Sequence, residues 1–327
     1  MQAWQVTGAG EPGDVLRRAD VVEPEPGPGQ VRLQVRAAAL GLPDAFLCRG
    51  TYAFSPPLPF VPGQEVCGVV DAVGDGVDLA VGARVMAVTN FFDGRGGLAE
   101  ACIAQADSAF RVPDDMSDEV AAGFRIGCST AWIALARRGH CRPGERLLVL
   151  GAAGGSGAAA IIVGRALGLQ VLAVVSDDDK AALCTSLGAD VVIDRSRTAV
   201  TDAVLAATDG HGVDLVFDPV GGDLAEATIE CTARDGRLLL VGFASGRWAR
   251  PDPWTVVRRN VAVVGVYAGG YQRFEHEEDH ERLLALAAQG ALTLTPTVVD
   301  FDDAVSAVTA LAEGRAVGKQ VVRVAPR

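Results

Sequence analysis

The 327-residue sequence contains seven cysteines but no CxxC pair. They stand at 48, 67, 102, 128, 141, 184 and 231, an odd, scattered set with neither a disulfide framework nor zinc-ribbon spacing. Such a set, with no secretory signal in view, reads as reduced cytoplasmic thiols, mostly buried. The opening residues Met1-Gln-Ala-Trp4 are strand-like and lack the basic and apolar regions of a signal peptide. No apolar run approaches the length needed to span a bilayer. Basic residues are outnumbered too: 29 Lys and Arg against 41 Asp and Glu give a formal net charge of -12. Nucleic acids and anionic membranes attract proteins through a Lys/Arg excess, so neither is expected as a partner. Any anionic ligand must be held locally, by helix N-termini and a few basic side chains. Internal repeats and low-complexity tracts are absent as well.

What is there suits a globular protein. Apolar residues make up 49% and charged residues 21%, and the length allows two domains. Residues 1–120 read as β-rich. Glu23-Pro-Glu-Pro-Gly-Pro-Gly29 makes a stiff turn before the alternating strand at 30–36. From Ser117 the pattern becomes helical, and then strands at 147–150, 171–175, 190–193, 214–217, 237–241 and 261–266 alternate with helical segments. That rhythm is the signature of a doubly wound parallel sheet, and the continuous Val/Leu runs suit strands covered on both faces. The expected fold is therefore α/β, with a β-rich substrate domain at 1–120 and a Rossmann-type domain at 121–266. A tail at 267–327 is expected to return and complete the first domain. It reads as a helix at 277–289, an extended segment at 292–299, a short helix near 303–313 and a strand at 320–324.

The most informative stretch is Arg146-Leu-Leu-Val-Leu-Gly151-Ala-Ala-Gly154-Gly155-Ser156-Gly157. An apolar strand meets a glycine cluster, and a small-residue helix follows at once. Gly154 and Gly157 match the last two glycines of GxGxxG, while Ala152 stands in place of the first. Ala153, Gly154, Gly155, Ser156 and Gly157 are thus candidates to hold a dinucleotide pyrophosphate. NAD-specific sites place an acid at the end of the second strand, and Val175 stands there instead. Ser176, Lys180 one turn further on, and Arg195 after the third strand are candidates for a ribose 2′-phosphate. The expected cofactor is NADPH. A plainer role for Ser176 is to cap the next helix, with the acids at 177–179 suiting its dipole. Both roles are compatible, although those acids would repel a phosphate that they faced.

Arg49-Gly-Thr-Tyr52, Pro59-Phe-Val-Pro-Gly63-Gln-Glu65, Gly68-Val-Val-Asp-Ala-Val-Gly74, Ser129-Thr130-Ala131-Trp132 and Pro143-Gly144-Glu145 carry a family resemblance. Ala152-Ala-Gly-Gly155, Ser186-Leu-Gly-Ala-Asp190, Gly212-Val-Asp-Leu-Val-Phe-Asp-Pro-Val-Gly-Gly222, Val241-Gly-Phe-Ala-Ser245 and Gly318-Lys319 extend it over nearly the whole chain. The sequence resembles the zinc-free quinone oxidoreductase branch of the medium-chain dehydrogenase/reductase superfamily. The resemblance implies a GroES-like catalytic domain interrupted by a Rossmann domain. It also implies cofactor contacts at Thr130, Val220, Gly242, Phe243, Ser245 and Lys319. Tyr52 is implied as a proton donor or substrate contact, against the plainer role of a half-buried aromatic beside Phe54. Thr130 has a plainer role as a helix cap, and Ser156, where the family often has Val, as simple packing. Many members carry Asn where this chain has Gly41, which puts quinone turnover in question.

Zinc-dependent relatives use a thiolate and an imidazole to hold the metal. The segment similar to their Gly-His-Glu motif reads Gly63-Gln64-Glu65, and the segment similar to their cysteine site reads Leu40-Gly41-Leu42-Pro43-Asp44. Cys48 lies too far along, and Cys102 stands alone where a structural zinc lobe needs four cysteines. No metal is expected. His276-Glu277-Glu278-Asp279-His280 spells HExxH, yet acids crowd it at a helix start, so it reads as a solvated first turn. His140 and His211 sit beside turns.

Hydride transfer without zinc suits an acceptor that needs little acid catalysis: a quinone or an alkene conjugated to a carbonyl. One alternative is an enoyl-thioester reductase for acyl-CoA or carrier-bound substrates, although Arg32, Arg36, Arg49, Arg84 and Arg95 form no evident basic entrance. Another is an NADPH-binding protein with an impaired site, as Gly41 suggests. The apolar run at 261–266 reads as an edge strand that would be hazardous if exposed, so a homodimer is expected.

Overall fold

Leu147-Leu-Val149 and Leu215-Val-Phe217 carry no polar side chain, so they are stable only where a sheet is covered on both faces. In the computed structural model, which describes residues 1–324, all six of these residues are fully buried. They form the two central strands of a six-stranded parallel sheet. Its spatial order is Val191–Asp194, Gln170–Val175, Arg146–Val149, Val213–Asp218, Thr232–Leu240 and Ala262–Gly265. In chain order that is 3-2-1-4-5-6, the doubly wound arrangement that reverses direction between strands 1 and 4. Helices Gly155–Ala166, Asp178–Ser186, Val200–Ala207, Gly222–Ala227 and Pro253–Arg259 separate the strands in sequence.

This unit spans Gly127–Leu294, so the boundary expected at 266 moves to 294. The helix Arg273–Ala288 explains the move. Its Asp279 is almost fully buried and accepts from Trp132 Nε1 at 2.9 Å and Arg137 Nε at 2.7 Å. A buried carboxylate bonded by two side chains ties the helix to this unit. Its acid-rich sequence had suggested only a solvated surface.

The other unit comprises Met1–Ile126 and the chain from Thr295 onward. Its hub is the strand Gln30–Leu40, whose first half alternates between half-buried and buried positions. It pairs antiparallel with Glu65–Val73 along one edge. Along the other edge Ala101–Gln105 covers its first part and Gln320–Arg323 its last. The returning strand Gln320–Arg323 also pairs in parallel with Thr297–Asp300, which begins later than the extended segment expected from 292. The helices Leu42–Arg49 and Ala304–Ala312 share a core through Ala45, Leu47, Cys48, Ala304, Ala307 and Val308. Among the described residues, no helix is long and apolar enough to cross a membrane.

Candidate active site

The glycine turn is built from backbone contacts. The chain leaves the first parallel strand, passes through Gly151 with φ 56° and enters the helix Gly155–Ala166 after Gly154. Gly154 N–H donates to Gly151 O at 3.0 Å, closing the turn. A Cβ on Gly157 would lie 2.4 Å from Gly151 O and 2.6 Å from Ala152 Cα, so only glycine allows the helix to start this close. Gly154, as N-cap, has no side chain with which to occupy the first-turn N–H groups. Those donors are left for water or an anion. Ala153 and Gly157 are buried here, Gly155 and Ser156 half-buried, and Gly154 exposed.

Two further loops meet this turn at the carboxyl ends of strands 1, 4 and 5. A Cβ on Gly151 would lie 2.9 Å from Val220 Cγ2, which places Val220 directly beside the turn. Gly242 N–H donates to Asp218 O at 3.1 Å and Ser245 N–H to Val220 O at 2.8 Å. Phe243 packs its ring against Trp248 at 5.0 Å. Ala153–Gly157, Val220, Gly242, Phe243 and Ser245 therefore come together at the point where strand order reverses, the usual ligand crevice of such sheets. Sequence reasoning missed Asp218, which organises the crevice. Its Oδ1 accepts from Val220 N at 2.9 Å and Gly221 N at 2.7 Å, while Oδ2 is buried without a hydrogen-bond partner. Burial pushes this carboxyl up to about 6. An Asp ahead of Pro-Val-Gly-Gly was the available signal, since Asx side chains bond to backbone two residues on.

Ser176, Lys180 and Arg195 gather at the ends of strands 2 and 3. Lys180 Nζ lies 3.0 Å from Ser176 Oγ, and Arg195 N–H donates to Val175 O at 3.0 Å. The cap falls one residue later than expected. Asp177, not Ser176, is the N-cap and accepts from Lys180 N at 3.0 Å.

The Met1–Ile126 unit holds a second constellation around Gly63. Asp44 is fully buried and accepts from Gly41 N and Gly63 N, each at 2.8 Å. Burial pushes its carboxyl up to about 6, against the pull of those two bonds. Thr89 Oγ1 donates to Gly63 O at 2.7 Å. Gly63 itself has φ 102°, with room for no Cβ because Leu98 N would stand 2.8 Å away. The next residue, Gln64, has a buried Nε2 without a hydrogen-bond partner. Glu65 is buried, accepts from Ile126 N at 2.7 Å and is ion-paired with Lys319.

Three expectations change here. Lys319 is ion-paired with Glu65 inside its own unit, so its ammonium has a buried structural partner besides the cofactor contact expected of it. Thr130 lies within the helix Asp118–Trp132, near its end, and so is not a cap. That helix starts far earlier, where Val120 N donates to Ser117 Oγ at 3.3 Å. The HExxH segment is not simply solvated, because Asp279 and His280 are buried while Glu277 pairs with Arg273 at 2.7 Å. Tyr52 is half-buried against the core of its unit, and Phe54 instead meets Phe92 edge-on at 5.9 Å. Tyr52 and Lys319 belong to one unit, and the glycine turn belongs to the other.

Comparisons with known proteins match two segments of the chain. Residues 27–114 match the alcohol dehydrogenase GroES-like domain, and residues 155–289 match the zinc-binding dehydrogenase family. A rat quinone oxidoreductase-like protein 2 is 35% identical over 254 residues, 77% of this chain and 71% of the relative. A phenolphthiocerol/phthiocerol polyketide synthase of Mycobacterium tuberculosis is 30% identical over 96% of this chain, which spans 14% of that protein. A mycobacterial protein solved with NADPH superimposes with a TM-score of 0.90 at 33% identity, covering 99% of this chain and 100% of that one.

Proposed function

We propose, for a chain that belongs to the zinc-free quinone oxidoreductase branch of the medium-chain dehydrogenase/reductase superfamily, that it reduces a quinone or an α,β-unsaturated carbonyl compound with NADPH. The observation that carries this is the uncapped helix start at Gly154, packed through Gly157 onto the turn where strand order reverses. NADPH, when bound, supplies the hydride. First-turn N–H groups of the helix Gly155–Ala166 hold its pyrophosphate. Ser176, Lys180 and Arg195 receive its 2′-phosphate, while Val220, Gly242, Phe243 and Ser245 shape the crevice beside the turn. Tyr52 donates a hydrogen bond to the acceptor's oxygen as that oxygen gathers charge. A proton from Tyr52 or solvent then completes the two-electron reduction.

The test is NADPH oxidation measured with benzoquinones and simple enones. Turnover of either class is the expected result, and NADPH binding with turnover of none would leave a cofactor-binding protein with an impaired site. The similarity to the polyketide synthase favours a second acceptor, an enoyl thioester. Faster reduction of crotonyl-CoA than of any free enone would establish that alternative.

We also propose a homodimer formed through the strand Ala262–Gly265. It is the last strand of the parallel sheet, Val263 is 39% exposed, and Tyr267 just beyond it is 72% exposed. An unpaired apolar edge recruits another strand. Light scattering on the eluted protein should give twice the chain mass, and a monomer at micromolar concentration would remove the proposal.

A further inference from the structure

Two of the three residues assigned to the 2′-phosphate, Ser176 and Lys180, are already engaged by an anion of the chain itself. Asp177 Oδ2 accepts from Ser176 Oγ at 2.9 Å and pairs with Lys180 Nζ at 2.9 Å. Since Lys180 Nζ is 3.0 Å from Ser176 Oγ, the three polar groups close a ring. The bond from Lys180 holds the Asp177 carboxyl below its usual value, so the ring contains a carboxylate. Among the charges nearby, one further basic side chain is matched. Arg197 is tied to Asp178 at 2.8 Å and to Asp194 at 3.0 Å.

Position gives this carboxylate a meaning beyond helix capping. It follows the second strand, roughly 20 residues after the glycine turn, where an acid accepts the ribose 2′-hydroxyl in NAD-binding sheets. Val175 at the strand end left that place apolar, but the side chain two residues on returns a carboxylate to the Ser176 hydroxyl. A 2′-phosphate arriving here must displace Asp177 from both donors, or share one ammonium with it. A 2′-hydroxyl meets no such conflict, because the carboxylate accepts its proton.

We propose that Asp177 sets the cofactor preference of this protein: it competes with the 2′-phosphate for Ser176 and Lys180, and so lets the chain accept NADH nearly as well as NADPH. The inference rests on the dinucleotide reading of the glycine turn and deepens it. Asp177 is a specificity-determining residue, and the geometry makes its charge separable from its capping role. Asn caps helices as well as Asp does, so Asp177→Asn keeps the bond to Lys180 N and removes the competing charge.

Calorimetric titration of wild-type and D177N protein with NADPH, NADH, 2′,5′-ADP and 5′-AMP tests the proposal. The two small nucleotides isolate the adenosine end from any effect on hydride transfer. In the wild type, NADPH should bind less than about tenfold more tightly than NADH. D177N should tighten NADPH and 2′,5′-ADP by about threefold to tenfold at low salt, weaken or leave unchanged NADH and 5′-AMP, and lose the gain at high salt. Asp177→Ser, also a good cap, should shift the preference the same way. An unchanged NADPH-to-NADH ratio in both variants, with thermal stability retained, would overturn the role of Asp177 and leave the cofactor reading intact. Failure of the wild type to bind any of the four nucleotides would overturn both.

Discussion

At the 151–157 turn the backbone is held by glycines standing within a few residues of one another, with no charged side chain involved. Around Gly63 the backbone is held by side chains from positions 44 and 89, and beside it Glu65 is locked by Lys319. The first turn uses close backbone approach and leaves its donors open, as a site must if a ligand is to come and go. The second uses buried carboxylates to close the N–H donors of Gly41, Gly63 and Ile126, as a support must, and leaves Gln64 Nε2 beside them without a partner. Asp218 and Asp44 repeat the contrast within one residue type. Each is buried and pushed up to about 6, but Asp44 spends both oxygens on N–H donors while Asp218 keeps Oδ2 unpartnered.

The most severe way to break the comparison is Lys319→Met. It leaves the Glu65 carboxylate buried and uncompensated, which should cost about 3–5 kcal/mol. Urea denaturation should show this loss, while NADPH affinity of the folded variant stays close to that of the wild type. A large loss of NADPH affinity at unchanged stability would instead return Lys319 to the cofactor.

The two aspartates come next. Asp44 has its folded value near 6 and its unfolded value near 3.8, so the native state binds more protons across that interval. The stabilisation linked to protonation is complete below pH 3.8 and is lost as pH rises through 6, a change of about 3 kcal/mol. Asp218 contributes a slope of the same sign. Asp44→Asn and Asp218→Asn should each flatten stability between pH 4 and pH 7. D44N must also surrender one of two hydrogen bonds, a loss of about 1 kcal/mol that D218N avoids. Equal stability of the two variants at pH 7, measured by urea midpoint, would dissolve the distinction between them.

Gly157→Ala probes the open turn. Its Cβ would stand 2.4 Å from a carbonyl oxygen, and relieving that contact should cost about 1–3 kcal/mol. NADPH affinity should fall at least as far as stability does, because the displaced backbone is the surface proposed to bind it. Affinity left intact would move the cofactor away from this turn.

The smallest effect belongs to Gly41→Asn. Gly41 is an N-cap in ordinary extended conformation, so Asn should change stability by only a few tenths of a kcal/mol. A lower KM for benzoquinone would show that the amide missing at this position had limited that substrate. An unchanged KM would remove Gly41 as the source of any departure.

The parallel sheet was legible because its evidence is local. Each strand is a short Val/Leu run, and the glycine turn lies within one strand–helix junction. The same holds for Ser176 and Lys180, which stand four residues apart, one just before the N-cap Asp177 and the other in the first turn of the helix that follows. Asp177 was visible too, but only as a charge that would repel a phosphate it faced. Whether it faced one depended on a side-chain direction that no spacing specifies. Asp279 and His280 read as surface because their neighbours are acidic, and Asp279's partners, Trp132 and Arg137, lie far back in the chain. Thr130 was misplaced for a related reason. The preceding small residues extend the helix Asp118–Trp132 instead of ending it.

The sequence by itself determined the two-part architecture, the succession of strands and helices in the parallel sheet and the glycine turn, because periodicity and glycine spacing act over a few residues. Tertiary structure alone decided which charges are spent and which remain available. Lys319 looks identical on paper whether it meets a phosphate or Glu65. A buried ion pair joins residues 254 positions apart, and the cost of desolvating one charge is balanced only by the partner that folding brings to it.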